Sequence, residues 1–230
     1  VTAGIESFPV MFKTGIDQVK SEVPDEVYNV LISTIDTSMK PAQVLNRINS
    51  EIEQNFSDEE IQELLTWYDS KPGIKFAKAE NLTSTPEGYQ AMLSEAPTLL
   101  ENEKLIKFAR KIEKLTKGTD SSMNLQLNAQ VAMISAFASL NPDLPKQSVS
   151  DRKAQIRAQM EMIRPSIEKQ VLASYAFSYK GFTDSEMQSY LQFMQSKTAI
   201  KFITITIASI DSAFEPVSYT HLRAHETPIN

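Results

Sequence analysis

Two short runs in this chain set a hydroxyl beside carboxylates: Ser57, Asp58 and Glu60 after Phe56, and Thr183, Asp184 and Glu186 after Phe182. Carboxylate pairs are the groups that cleave glycosidic bonds by acid–base chemistry. The same spacing also starts a helix. Ser57 at N-cap with Glu60 at N3 makes a capping box, and Thr183 with Glu186 makes a second. Phe56 with Ile61, and Phe182 with Met187, are spaced as hydrophobic staples. Asp58 and Asp184 fall in the first turn, where the helix dipole favours a carboxylate. Each start therefore has a folding role for every residue it repeats, and this reading is taken over catalysis.

Other chemistry has fewer candidates. Residues 1–216 contain neither histidine nor cysteine, which excludes Ser-His-Asp and Cys-His catalysis, zinc sites built on those ligands, and haem ligation by them. No glycine-rich phosphate loop appears. Asp, Glu and Lys remain as acids and bases. The two histidines, His221 and His225, lie four apart in the tail VSYTHLRAHETPIN, with Glu226 as the one nearby carboxylate. Two such ligands are too few for a closed metal site. That tail resembles a translated sequencing adapter or cloning scar. Residues 217–230 are set aside and expected to pack little and bind no metal. No residue is assigned a catalytic, cofactor-binding or metal role, and no cofactor is expected.

A third feature is cationic. In ENEKLIKFARKIEKLTK, residues 101–117, Lys104, Lys107, Lys111 and Lys114 face away from the stripe Leu105, Phe108, Ala109, Ile112 and Leu115. Such a helix suits an anionic lipid surface or a partner; as a plain solvated surface helix its charges follow its dipole, and that bland reading is preferred.

The elements that carry these residues read as helices. Val27, Leu31, Ile35 and Met39 recur every four residues after Pro24. Val44, Leu45, Ile48 and Ile52 follow Pro41, and Ile61, Leu64, Leu65 and Tyr68 make a third stripe. Gly118 is placed at the C′ position that ends the 101–117 helix. Ser121–Leu140 carries no charge but holds Asn124, Gln126, Asn128 and Gln130, as suits a central helix packed on several sides. Ile203–Ile207 alternates like a strand, yet is read as helix because of an internal repeat. Phe56–Phe76 and Phe182–Phe202 share ten of twenty-one residues at an offset of 126, against about one or two by chance. A Pro41-led helix precedes the first copy and a Pro165-led helix is expected before the second. Between helices, Pro72 is read as N1 and Gly73 as easing the turn; Thr198 and Ala199 should make the second break less sharp. Ile74, Phe76, Ile200 and Phe202 are expected to return the chain to the core. The aromatics Trp67, Tyr68 and Phe193 are read as core rather than as a ligand groove.

These motifs, an F-[ST]-x-x-E start, an aromatic pair and an S-x-x-G-x-x-[FI] follow-on, resemble the bacterial family called domain of unknown function 2059. The resemblance covers residues 25–85 and 150–214, more closely in the first. It implies small α-helical domains, usually exported to the periplasm, with no established activity and no catalytic residues to carry over.

Composition agrees with an ordinary folded chain: 41% hydrophobic, 23% charged, net charge −6, no cysteine. An acidic balance argues against a nucleic-acid partner, and no run of about 18 apolar residues suggests a membrane span. The chain opens at Val1 rather than methionine, so an upstream segment is expected to have been removed or never included, and no signal pattern is present to read. The expected architecture is all-α: a multi-helix bundle of two repeated helix groups, residues 1–118 with flanking helices and 119–216, then the tail 217–230. The expected function is non-catalytic binding of a protein partner or an apolar small molecule in the cell envelope, periplasmic or secreted, with a second copy of the chain also admitted as partner. The alternative is a carboxylate-dependent glycan-cleaving enzyme, which would need two carboxylates about 5–10 Å apart in an open cleft.

Overall fold

Each amphipathic stripe becomes a helix in the computed structural model, which describes residues 2–18, 20–38, 40–140 and 148–214. Among these residues there are eleven α-helices and no strand: α1 (Thr2–Gln18), α2 (Asp25–Ser38), α3 (Pro41–Asn55), α4 (Asp58–Tyr68), α5 (Lys71–Thr83), α6 (Pro86–Glu101), α7 (Glu103–Thr116), α8 (Gly118–Leu140), α9 (Val149–Tyr179), α10 (Asp184–Met194) and α11 (Lys197–Phe214). The fold is an all-α multi-helix bundle. Ile203–Ile207 lies within α11, so the helical reading holds over the strand-like alternation. Met39 and the tail 217–230, with His221 and His225, lie outside the described residues.

The long helix α9 is the organising element, packing against α5, α6, α7 and α8, while α11 packs against α3, α4 and α8. The charge-free stretch of α8 is central: Met123, Leu127 and Val131 bury against Ile156, Met160 and Ile167 of α9, and α2 and α11 also contact it. The largest cluster joins Phe56, Leu64 and Phe76 to Phe108, Ile112, Tyr179, Met187 and Tyr190, so it draws on both sides of residue 118.

Several expectations are corrected. The break before Pro165 does not exist, because α9 runs through it without interruption. Ile156, Met160, Ile167 and Leu172 are buried on both sides of the proline, and Pro165 itself is exposed. Water can reach the Glu161 carbonyl that loses its intrahelical donor, and the packing outweighs that lost bond. Gly118 is not the left-handed residue after α7; Lys117 is, at φ 51° and ψ 41°. Gly118 begins α8, and a Cβ there would stand 2.5 Å from the Tyr175 hydroxyl. Pro72 is the second residue of α5, after Lys71.

Burial also departs from the stripes. Leu65, Ile74 and Ile200 are 49%, 43% and 45% exposed, and Tyr68 is exposed too; only Phe76, at 1%, reaches the core fully. Periodicity says which residues share a face, whereas a neighbouring element decides whether that face is covered. The second helix break is as sharp as the first. Asp69 (φ −84°, ψ −11°) and Gln195 (φ −90°, ψ −5°) turn alike. Ser70 and Ser196 each accept the backbone N–H three residues on, at 3.1 Å.

The two similar stretches lie against each other, and their contacts are reciprocal. Glu60 pairs with Lys201 and Glu186 with Lys75, both at 2.7 Å. Lys201 stands 4.5 Å from the Phe56 ring centre and Lys75 stands 4.3 Å from that of Phe182. Adding 126 to Glu60, Phe56 and Lys75 gives Glu186, Phe182 and Lys201. Trp67 and Phe193 are also 126 apart, and they stack on one another at 4.6 Å and 8°. Residue i touching j while i's equivalent touches j's equivalent is the contact pattern of a local two-fold axis. It passes between Trp67 and Phe193.

Candidate functional site

The repeated carboxylates are engaged in holding helices. Ser57 accepts the Glu60 N–H at 3.3 Å, and Glu60 accepts the Ser57 N–H at 2.9 Å. Thr183 and Glu186 repeat both bonds, at 3.3 and 2.8 Å. Lys201 first, then the Ser57 N–H, holds the Glu60 carboxyl below its ordinary range. Lys75 and the Thr183 N–H hold Glu186 at about 2. Each is thus committed as an anion, the wrong state for a general acid.

A buried polar knot lies alongside. Glu80 of α5 accepts hydroxyl bonds from Tyr179 of α9, at 2.7 Å, and from Tyr190 of α10. Burial pushes both hydroxyls well above the ordinary tyrosine range, and the Glu80 charge adds to it. The three groups clamp α5, α9 and α10 around Phe76, which stacks on Tyr190 at 4.1 Å. Trp67, Tyr68 and Phe193 likewise pack among themselves, with Tyr68 edge-on to Phe193.

The surface beside α10 is different. Helix α7 crosses α10, and two adjoining hollows of about 690 and 460 Å³ run between them, sharing Lys111, Gln188 and Leu191. The floor is apolar: Phe108, Leu115, Met187 and Leu191. Lys104, Lys107, Lys111 and Lys114 of α7 form one wall; Gln188, Gln192 and Gln195 of α10 face them. Asp184 and Glu103 stand at one end, where Asp184 pairs with Lys104. Lys107, Lys111 and Lys114 have no ion pair among the described residues. The sequence singled out the four lysines and the apolar stripe beneath them, but not the glutamine wall. Its signal is the spacing of Gln188, Gln192 and Gln195 at i, i+4 and i+7.

The groove belongs to one motif alone. Leu191 is 7% exposed beneath α7, which packs on α10, while its counterpart Leu65 on α4 is 49% exposed. Among the described residues no three His, Asp or Glu side chains stand where a metal ion could be held, and no helix is long and apolar enough to cross a membrane. Set beside family models, curated proteins and solved structures, the chain matches none of them.

Proposed function

We propose that this is a non-catalytic binding protein of the cell envelope, and that the groove between α7 and α10 receives an acidic polypeptide segment of a partner. The observation that carries the reading is the row of three unpaired lysines above an apolar floor. Cations without partners favour an anionic occupant, and the floor formed by Phe108, Leu115, Met187 and Leu191 rewards apolar side chains between its acidic ones. Export to the periplasm, and the origin of the two motifs by duplication, are part of the same proposal. The first is supported by the motif resemblance to domain of unknown function 2059, the second by the ten identities and the reciprocal contacts. The glycan-cleaving alternative is weaker. Glu103 and Asp184 share one end of the groove, but Asp184 is 76% exposed and paired with Lys104; a proton donor for that reaction needs a drier site.

A fluorescent peptide of alternating Glu and Leu tests the groove directly. It should bind the parent protein and weaken with salt, and K107E/K111E should lose at least about tenfold in affinity, a modest share of two charge reversals. Equal binding to both proteins, or binding to anionic lipid vesicles in place of the peptide, overturns the reading.

A further inference from the structure

On a separate face of the bundle, sharing no lining residue with the groove, a hollow of about 390 Å³ lies between α8, α9 and α11. We propose that it is a binding site for a small carboxylate that carries a second hydrogen-bonding group, such as a hydroxy or amino acid.

Each helix brings two polar residues. Asn124 and Asn128 come from α8, Lys153 and Arg157 from α9, Asp211 and Ser212 from α11. Asn128 is the one buried polar residue of this lining. It is 8% exposed, yet its carboxamide makes no hydrogen bond among the described residues. Helix α8 places that carboxamide on the wall of the hollow, where it is open to a ligand or to water. Its neighbours Leu127 and Val131 show that an apolar side chain is well tolerated in that part of α8. A ligand that both accepts and donates would satisfy it.

The charge on the hollow is set by two cations and one carboxylate. Lys153 and Asp211 are engaged with other groups, and Asn124 donates to Asp211 at 3.3 Å. Arg157 is the exception. Its guanidinium makes no hydrogen bond or close ion pair among the described residues, and the Glu161 carboxylate one turn on feels its charge only at a distance. A guanidinium fork matches a carboxylate in a bidentate pair. With Arg157 on the carboxylate and Asn128 on the second polar group, Leu127 and Ala208 would touch the carbon skeleton between. The volume lies in the range of small-ligand sites.

The test uses the full chain and calorimetric titration with L-malate and with L-glutamate, and sodium sulfate as the plain anion. One of the two carboxylates should bind and raise the thermal midpoint, while sulfate at equal ionic strength should not. N128L should keep the parent's fold and midpoint, because the side chain it removes holds no hydrogen bond among the described residues, yet lose about tenfold or more in affinity, as should R157Q. R157K keeps the charge without the fork and should fall between R157Q and the parent. No binding of either carboxylate, or binding left unchanged in N128L and R157Q, or an equal response to sulfate, overturns the proposal.

Discussion

Ser57 and Thr183 show how much a single residue says when its partners are local. Both capping boxes were readable because donor and acceptor are three residues apart, and the structure contains both. Ser57→Ala and Thr183→Ala should each lower stability by about 1 kcal/mol, measured as a shift in the urea midpoint; an unchanged midpoint in both would mean the caps do not matter. The lysines that complete these sites were not readable, since Lys75 and Glu186 are 111 residues apart. Their effect is a pH dependence. Glu186 is held at about 2 by Lys75 and Thr183, below an unfolded value near 4.3. The stability it contributes is complete above that unfolded value and is lost as pH falls from there through about 2. E186Q keeps the capping geometry but cannot titrate, so its thermal midpoint should fall less steeply than the parent's over that window. Parallel slopes would contradict the pairing.

At the scale of elements, stripes gave the helices and neighbours decided their burial. Leu105, Phe108, Ala109 and Ile112 were legible as the buried face of α7 and are buried; Leu65 shares a stripe with Leu64 but has no element over it. Helix ends were legible where a side chain closes them and misread where packing does. Gly118 looked like a cap. Its small size instead admits Tyr175, whose hydroxyl meets that of Thr116 at 2.7 Å at the α7–α9 contact. A Cβ at position 118 is admitted only if that ring shifts, which disturbs the Thr116–Tyr175 hydrogen bond. Gly118→Ala should therefore cost about 1–3 kcal/mol through displaced packing, despite alanine's better helix propensity. Gly181 is the contrast: a Cβ there meets nothing within 4 Å. Gly181→Ala should stabilise by about 0.4–1 kcal/mol, through the unfolded chain alone. Urea melts of the two variants check both signs.

At the scale of the whole molecule, the sequence showed two similar stretches but not that they face each other. An offset of 126 is visible in a string; the stacking of Trp67 on Phe193 is a product of the fold. The polar hollow between α8, α9 and α11 was invisible for the same reason: Asn128 and Arg157 come from different helices and acquire a common purpose only when these pack. Because the motifs share one cluster, they should not melt separately. Trp67 is the sole tryptophan and sits at the local two-fold contact, so its fluorescence reports on the junction while far-ultraviolet dichroism reports on all helices. The two signals should follow one urea transition. Phe193→Ala, made in the second motif, removes a 9% exposed ring from the stack. It should lower that single transition by about 3–5 kcal/mol, equally by both signals. A fluorescence change that leaves the dichroism midpoint in place would show that the two halves hold themselves up independently.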